Sequence, residues 1–517
     1  MIVRMNVILR IVLLVVLSAC VDPADTGQFD GFEGLSGPYL GLESPGSTPQ
    51  LLLPGLVSTY GNERTVCFMD DGKLIVVVRD HETVFTAEHE GRWSKPQVAP
   101  FSYGSDMPDC TAGPDGKTLY FMSSRPIDPD DHSETHHLWT AEWTGTSWAK
   151  PSPLARPKKI PGNGSGYPTA TADGTVYFIS DARDGFREGG IYRTRNTGGK
   201  PQPAELVERP INGAYVDFDP CVAPDESYLL FNSNRPGGFG SWDTYLSLRK
   251  RDGTWTPSIN LGPGFNSSAS ECCPTLSSDG RFLFFASSRE TPDPKGKINQ
   301  TQSRDRDTYW VETGFIEEMR SRYLDTESPT GEIISEYRER GIRAATEKLT
   351  ELHSVHKRAY SFLPNDLLRV CEEMIDTGHA EDADSFYEAL VRTLPETGQI
   401  MLGYALLSAL SGSTDHAEKI VPEIGGIDPS FDGEDVGLYL GHMLSDASRY
   451  ADAKVIFELN TKEHPDSYRS FYYLATVSKE LGDFERARKS CLRAQELAPE
   501  NEAVSDLWAE LVDQQER

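Results

Sequence analysis

Carboxylates recur ahead of a repeated Asp-Gly pair in the first half of this chain. Glu63, Asp106 or Asp109, Asp217 with Asp219, and Glu271 lie eight positions or so before the Asp of each pair. A ring of such groups can hold a cation, a basic peptide or a glycan. Two carboxylates at the right separation can also hydrolyse a glycosidic bond. Ser165 stands in this place in the third repeat. Arg125, Arg183, Arg235 and Arg289 follow the apolar runs and are expected to neutralise the carboxylates between neighbouring repeats. Structural ion pairing is therefore the favoured role, with ligand binding and catalysis as the alternatives.

The other reactive side chains form no strong pattern. Apart from Cys20, seven cysteines remain: Cys67, Cys110, Cys221, Cys272, Cys273, Cys371 and Cys491. An odd number in an oxidising compartment leaves at least one free thiol. Their spacing is not that of a metal site, and small buried residues are the expected role of most. A vicinal Cys272–Cys273 disulfide is the alternative for that pair. His132, Glu134, His136 and His137 could ligate a metal, but they sit in a long polar insertion with Asp128, Asp130 and Asp131. No His-Glu-x-x-His is present. Gly162-Asn-Gly-Ser-Gly166 does not fit a nucleophile elbow. No catalytic residue, metal or cofactor is predicted.

The elements that must position these residues come from an internal repeat. Asp71-Gly72, Asp115-Gly116, Asp173-Gly174, Asp225-Glu226 and Asp279-Gly280 each precede an apolar β-prone run, at spacings of 44, 58, 52 and 54 residues. Asp-Gly supplies the positive φ of a tight turn. The following run, such as Phe282-Leu-Phe-Phe-Ala286, reads as a strand buried on both faces. A third strand surrounds an aromatic (Phe85, Trp139, Tyr192, Tyr245, Tyr309), and Trp93, Trp148 and Trp255 open a fourth segment. Four strands per repeat is the content of one propeller blade. Pro49-Gln50-Leu51 is similar to Pro96-Gln97-Val98, so the leading segment is expected to supply the outermost strand of the last blade and remove the sheet edges.

Pro274-Thr-Leu-Ser-Ser-Asp279-Gly-Arg-Phe-Leu-Phe-Phe-Ala-Ser-Ser-Arg289 resembles the TolB-like periplasmic β-propeller repeat, a relative of WD repeats. The resemblance covers about half the chain, and the first repeat departs from it with Val66 in place of Pro. It implies a β-propeller that binds proteins and sometimes sugars. Five blades are expected, with six as the alternative.

Beyond residue 314 the aromatic β-runs give way to Ala/Leu/Glu/Arg periodicity. Ala383, Ala417, Ala453 and Ala487 recur at 34, 36 and 34 residues, Tyr450 matches Phe484, and Pro465 matches Pro499. This resembles the tetratricopeptide pattern of helix–turn–helix units sharing one core. The resemblance implies a concave groove lined by Asp435, Leu438, His442, Ser445, Arg469, Tyr472, Thr476 and Lys479.

The leading residues read as an address. Arg4 and Arg10 precede and bound an apolar run, Ile11 to Leu17, too short to span a bilayer. Leu17-Ser-Ala-Cys20 resembles a bacterial lipobox, which implies cleavage before Cys20 and acylation there. Val21 after the Cys implies sorting to the outer membrane, facing the periplasm. The expected divisions are a signal peptide at 1–19, a lipidated tether at 20–37, the propeller at 38–314, a linker helix at 315–330 and helical repeats at 331–517. A formal net charge of −29 argues against a nucleic-acid partner. A non-catalytic envelope scaffold for protein or glycan partners is the expected function. A carbohydrate-active hydrolase or lyase using Glu63, Asp217 and Glu271, and a solute-binding lipoprotein, are the alternatives.

Overall fold

A computed structural model describes residues 35–517, except 59–61, 80–81, 103–108, 128–135, 155–164, 181–189, 198–199, 213–215, 236–237, 290–305, 325, 357–361, 395–397, 428–432, 500 and 514–517. The leader, Cys20, Asp106, His132, Glu134 and Arg183 lie outside the described residues, and so does the side chain of Asp435.

Five antiparallel sheets form the five blades of a propeller. Their innermost strands are 63–69, 110–112, 165–170, 217–222 and 271–276, and these pair outward with 74–79, 118–123, 176–180, 228–233 and 282–287. The turn between these two strands follows from the Asp-Gly pairs. Asp115, Asp173, Asp225 and Asp279 each accept the backbone N–H two residues on, at 2.9–3.0 Å. The next residue takes positive φ: Gly116 at 69°, Gly174 at 84° and Gly280 at 72°. In the fourth blade Glu226 takes φ 59° instead, a conformation costing a side-chain-bearing residue about 1–2 kcal/mol.

The second strands are buried as the sequence predicts in most blades. Leu74 to Val78, Leu229 to Phe231 and Phe282 to Ala286 are inaccessible to solvent or nearly so. Strand 118–123 instead alternates, with Tyr120 and Met122 half-buried.

Closure is supplied by the leading segment. Gln50 and Leu51 pair with Trp310 and Tyr309. Leu52 N–H donates to the Thr308 carbonyl at 2.8 Å, and the Ser58 hydroxyl donates to the same carbonyl at 3.0 Å. Tyr39, Leu40, Leu52 and Val57 then pack among Phe68, Ile75, Phe284 and Trp310, so the seam is an apolar core as well as a strand pair.

Twelve helices follow among the described residues. Helix α1 (Gly314–Tyr323) packs Phe315, Ile316 and Met319 on the fourth and fifth blades. Five hairpins come next: α2 (Thr330–Arg340) with α3 (Ile342–His356), α4 (Pro364–Asp376) with α5 (Ala380–Thr393), α6 (Gly398–Ser411) with α7 (Asp415–Ile427), α8 (Gly433–Asp446) with α9 (Tyr450–Glu463), and α10 (Tyr468–Glu480) with α11 (Phe484–Leu497). Helix α12 (Glu502–Asp513) covers the last hairpin with Val504, Leu507 and Leu511. Ala383, Ala417, Ala453 and Ala487 are all fully buried. Gly437 and Gly441 allow a close approach of α8 to α9: an added Cβ would come within 2.3 Å of the Asn460 side chain at the first and of the Phe457 ring at the second.

The two modules share a core. Phe239, on the loop before the third strand of the fourth blade, is buried among Leu402, Leu406, Val436 and Tyr439 of the helical region. Leu363, just ahead of α4, packs with propeller residues in turn. No helix among the described residues is long and apolar enough to cross a membrane.

Candidate functional site

The predicted carboxylates fall on two levels. Glu63, Ser165, Asp217 and Glu271 are the first residues of their innermost strands and stand at one mouth of the ring. Two residues further in, Thr65, Asp109, Tyr167, Asp219 and Cys273 occupy a second level. Each lies six positions before the turn Asp of its own repeat.

The mouth level is built of ion pairs within blades. Arg79 meets Glu63 at 2.8 Å, Arg235 meets Asp217 at 2.5 Å, and Arg289 meets Glu271 at 3.1 Å. The expectation that these arginines bridge neighbouring blades is corrected here. The antiparallel register sets Asp217 opposite Ser233 and Glu271 opposite Ser287, each two residues before its arginine, so the partner is in the same blade. The bridge between blades is made instead by Arg64 of the first blade, which donates to both oxygens of Asp109 of the second at 2.9 Å. Arg125 donates to the Phe101 carbonyl at 3.2 Å. Glu271 is saturated with donors. It accepts the Ser267 N–H at 2.9 Å, the Ser267 hydroxyl at 2.6 Å and the Ser287 hydroxyl at 2.7 Å, besides Arg289. Burial raises its carboxyl above the ordinary range, and Arg289 and these hydrogen bonds pull against that rise.

The second level fills the axis. Strand bulges place it there: the registers shift between Gly166 and Thr169, between Phe218 and Cys221, and between Cys272 and Thr275. At each bulge one residue turns to positive φ: Tyr167 at 47°, Asp219 at 49° and Cys273 at 57°. A bulge re-aims a side chain that regular pleating would send elsewhere. Tyr167 is fully buried and its hydroxyl donates to the Pro274 carbonyl at 3.0 Å. The Cys273 N–H donates to Asp219 Oδ2 at 3.0 Å. The Cys273 thiol donates to the Cys272 sulfur at 3.2 Å. That hydrogen bond, with Arg306 and Arg64 nearby, pulls the Cys272 thiol down to about 7. Burial pushes the Asp219 carboxyl up. Cys67 and Cys110 form a second close pair, with sulfurs 3.6 Å apart.

The spacing of the cysteines did not reveal the grouping of Asp219 with Cys272 and Cys273. The signal was present: counting six residues back from every turn Asp collects the whole axial level.

The groove positions divide. Leu438 is core. His442 lies against Phe457 and Tyr473 at centroid distances of 5.8 and 4.1 Å, and burial lowers its imidazole to about 4. Arg469 pairs with Glu434 at 2.8 Å, and Lys479 with Glu510 at 2.8 Å. The Thr476 hydroxyl donates to the Tyr472 carbonyl at 3.1 Å, and the Tyr472 ring meets Tyr473 edge-on. Ser445 donates likewise to Gly441 within α8.

A cleft of about 670 Å³ separates the modules beside Phe239 and Leu363, lined also by Phe265, Phe315, Met319 and Tyr323.

No family model matches the chain, and no curated protein is similar to it in sequence. Among solved structures, one described as TolB from Agrobacterium tumefaciens is similar at 14% identity and a TM-score of 0.32, over 49% of this chain and 91% of that one. Hydrazine synthase of Kuenenia stuttgartiensis is similar at 12% identity and a TM-score of 0.26, over 43% and 60% of the two chains. MamA from Desulfovibrio magneticus RS-1 is similar at 16% identity and a TM-score of 0.19, over 29% and 82%. At these scores the fold rests on the sheets and helices of the chain itself.

Proposed function

We propose that the protein is a non-catalytic interaction scaffold of the cell envelope, tethered through an acylated Cys20 on the outer membrane and facing the periplasm. The observation that carries this reading is the shared core at Phe239. A propeller ring and a helical solenoid locked through one buried aromatic make a single platform with two presenting surfaces. The ring would take a protein or glycan at its mouth, and the solenoid groove a peptide or helix. The donor-saturated Glu271 and the in-blade ion pairs support a structural use of the mouth carboxylates over a glycosidase pair, which needs one acid and one base free to move protons.

The test is chemical crosslinking from photoreactive residues placed at Tyr472 and Thr476 and, separately, beside Ser165, in intact envelopes. Distinct partners that depend on each position support the scaffold. Turnover of an envelope glycan by the wild type that disappears in Glu271→Gln, with the fold intact, would replace it with the hydrolase or lyase reading. The cleft between the modules favours a solute as the further alternative, since its volume suits a small ligand at a domain junction. Thermal-shift screening with sugars addresses it.

A further inference from the structure

We propose that Asp219, Cys272 and Cys273 form a binding site for one thiophilic divalent cation of the zinc type on the axis of the propeller. Their ligand atoms lie within 4.8 Å of one another, and all three residues are buried. Two thiolates and a carboxylate are a donor set that zinc accepts in tetrahedral geometry, with one position left over. Zinc–sulfur bonds of about 2.3 Å place two tetrahedral sulfurs roughly 3.8 Å apart. The sulfurs stand at 3.2 Å here, so a small rotation of one side chain suffices.

The geometry is unusual for neighbours in a strand, whose side chains point to opposite faces. It arises because the bulge after Cys272 and the left-handed backbone of Cys273 turn both sulfurs inward. The third donor comes from the adjacent blade through a bulge of the same kind, and the Cys273 N–H fixes the carboxylate beside the thiols.

Charge supports the assignment. Asp109 is neutralised by Arg64, so it does not compete for the ion. Arg306 interacts with Cys272 and Cys273, and its buried Nε has no hydrogen-bond partner. Three anionic ligands, one dication and Arg306 together come to neutrality, whereas two ionised thiols and Asp219 beside Arg306 alone would leave net negative charge in a buried place. The Cys67–Cys110 pair lacks this character. The Cys67 thiol already donates to the Cys110 carbonyl at 3.2 Å, and no carboxylate joins the two sulfurs in a three-ligand cluster among the described residues.

A bound ion would clasp the fourth blade to the fifth at the axis and raise stability by mass action. The experiment is elemental analysis of the full chain purified under reducing conditions, then cadmium replacement followed by its sulfur-to-metal charge-transfer absorption. One ion per chain is expected, with the absorption lost in Cys273→Ser and weakened in Asp219→Asn, and retained in Cys67→Ala. X-ray absorption on the wild type should show two sulfur neighbours, a readout that stands if a variant fails to fold. An ion surrounded by nitrogen and oxygen alone, equal binding in Cys273→Ser, absence of stoichiometric metal after incubation with zinc, or a peptide mass two hydrogens short at Cys272–Cys273 in chain isolated without reductant would each overturn the site.

Discussion

The Tyr167 hydroxyl donates to the carbonyl of Pro274, 3.0 Å away, and thereby ties the third blade to the fifth across the axis. At this level a phenol, a carboxylate and two thiols lie buried. Removing the hydroxyl alone, in Tyr167→Phe, should cost about 1 kcal/mol, the net worth of one buried hydrogen bond. Tyr167→Ala opens a void and should cost about 3–5 kcal/mol, as large-to-small changes at buried aromatics do. Denaturant unfolding followed through propeller tryptophans measures both. No cost in Tyr167→Phe would mean that the bond across the axis contributes nothing.

Closure makes a second prediction. Leu52 is fully buried at the seam, so Leu52→Ala should destabilise the propeller by about 2–5 kcal/mol. Proteolysis should then cut first in the leading segment. A change of the same kind at exposed Val98 should have little effect.

Glu226 offers a test of backbone cost against side-chain gain. It sits at φ 59° yet accepts the Tyr177 hydroxyl at 2.5 Å and pairs with Arg193 at 3.7 Å and Arg249 at 3.9 Å. Glu226→Ala loses the contacts and keeps the strain. Glu226→Gly loses the contacts and relieves the strain, so it should be the more stable of the two by about 1 kcal/mol. Thermal unfolding of the two variants decides the matter.

His442 sets a pH dependence. Burial, with Arg469 adding repulsion, lowers its imidazole from 6.5 to about 4. Between those values the unfolded chain takes up a proton that the folded chain does not, so stability falls as pH drops from 6.5 towards 4. Above 6.5 the group is neutral in both states and has no effect on the slope. His442→Phe should flatten this part of the curve relative to wild type. Carboxylates common to both proteins cancel in the comparison. An unchanged slope would show that His442 titrates normally.

Phe239 locks the modules. Its backbone N–H donates to Asp243 at 2.7 Å, and the next N–H, of Gly240, to the other carboxylate oxygen at 2.9 Å, which holds the loop out toward the helices. Phe239→Ala should cost the junction about 3–5 kcal/mol. Calorimetry should then resolve a separate transition for the helical region where the wild type shows coupled unfolding. A single unchanged transition would place the coupling elsewhere, at α1 and Leu363.

Much of this architecture was legible because it rests on local chemistry repeated in register. An Asp that accepts an amide two residues on, followed by glycine, marks a turn wherever it falls, and Asp115, Asp173 and Asp279 are written that way. The alanines at 34- and 36-residue spacing are equally plain, since helices cannot approach closely over larger side chains. The seam was readable from the likeness of Gln50-Leu51 to Gln97-Val98. What escaped was the axial level. Acidity alone groups Asp219 with Glu63 and Glu271, yet a bulge moves Asp219 inward and gives it different neighbours. Regular strand alternation cannot foresee a bulge. The direction of the arginine pairs escaped for a related reason: it depends on the register between strands, which a repeat period alone does not specify.

The seam has a consequence for how the molecule comes into being. The Ser58 hydroxyl meets the backbone of Thr308, 250 residues away, so the leading strand of the ring waits for nearly the last residues of the ring. Until a ribosome has delivered the chain past Glu312, the first blade has no neighbour on one side and the nascent protein is an open arc with two raw edges. Whatever chaperoning the chain requires falls in that interval, and it ends when the two ends of the arc meet.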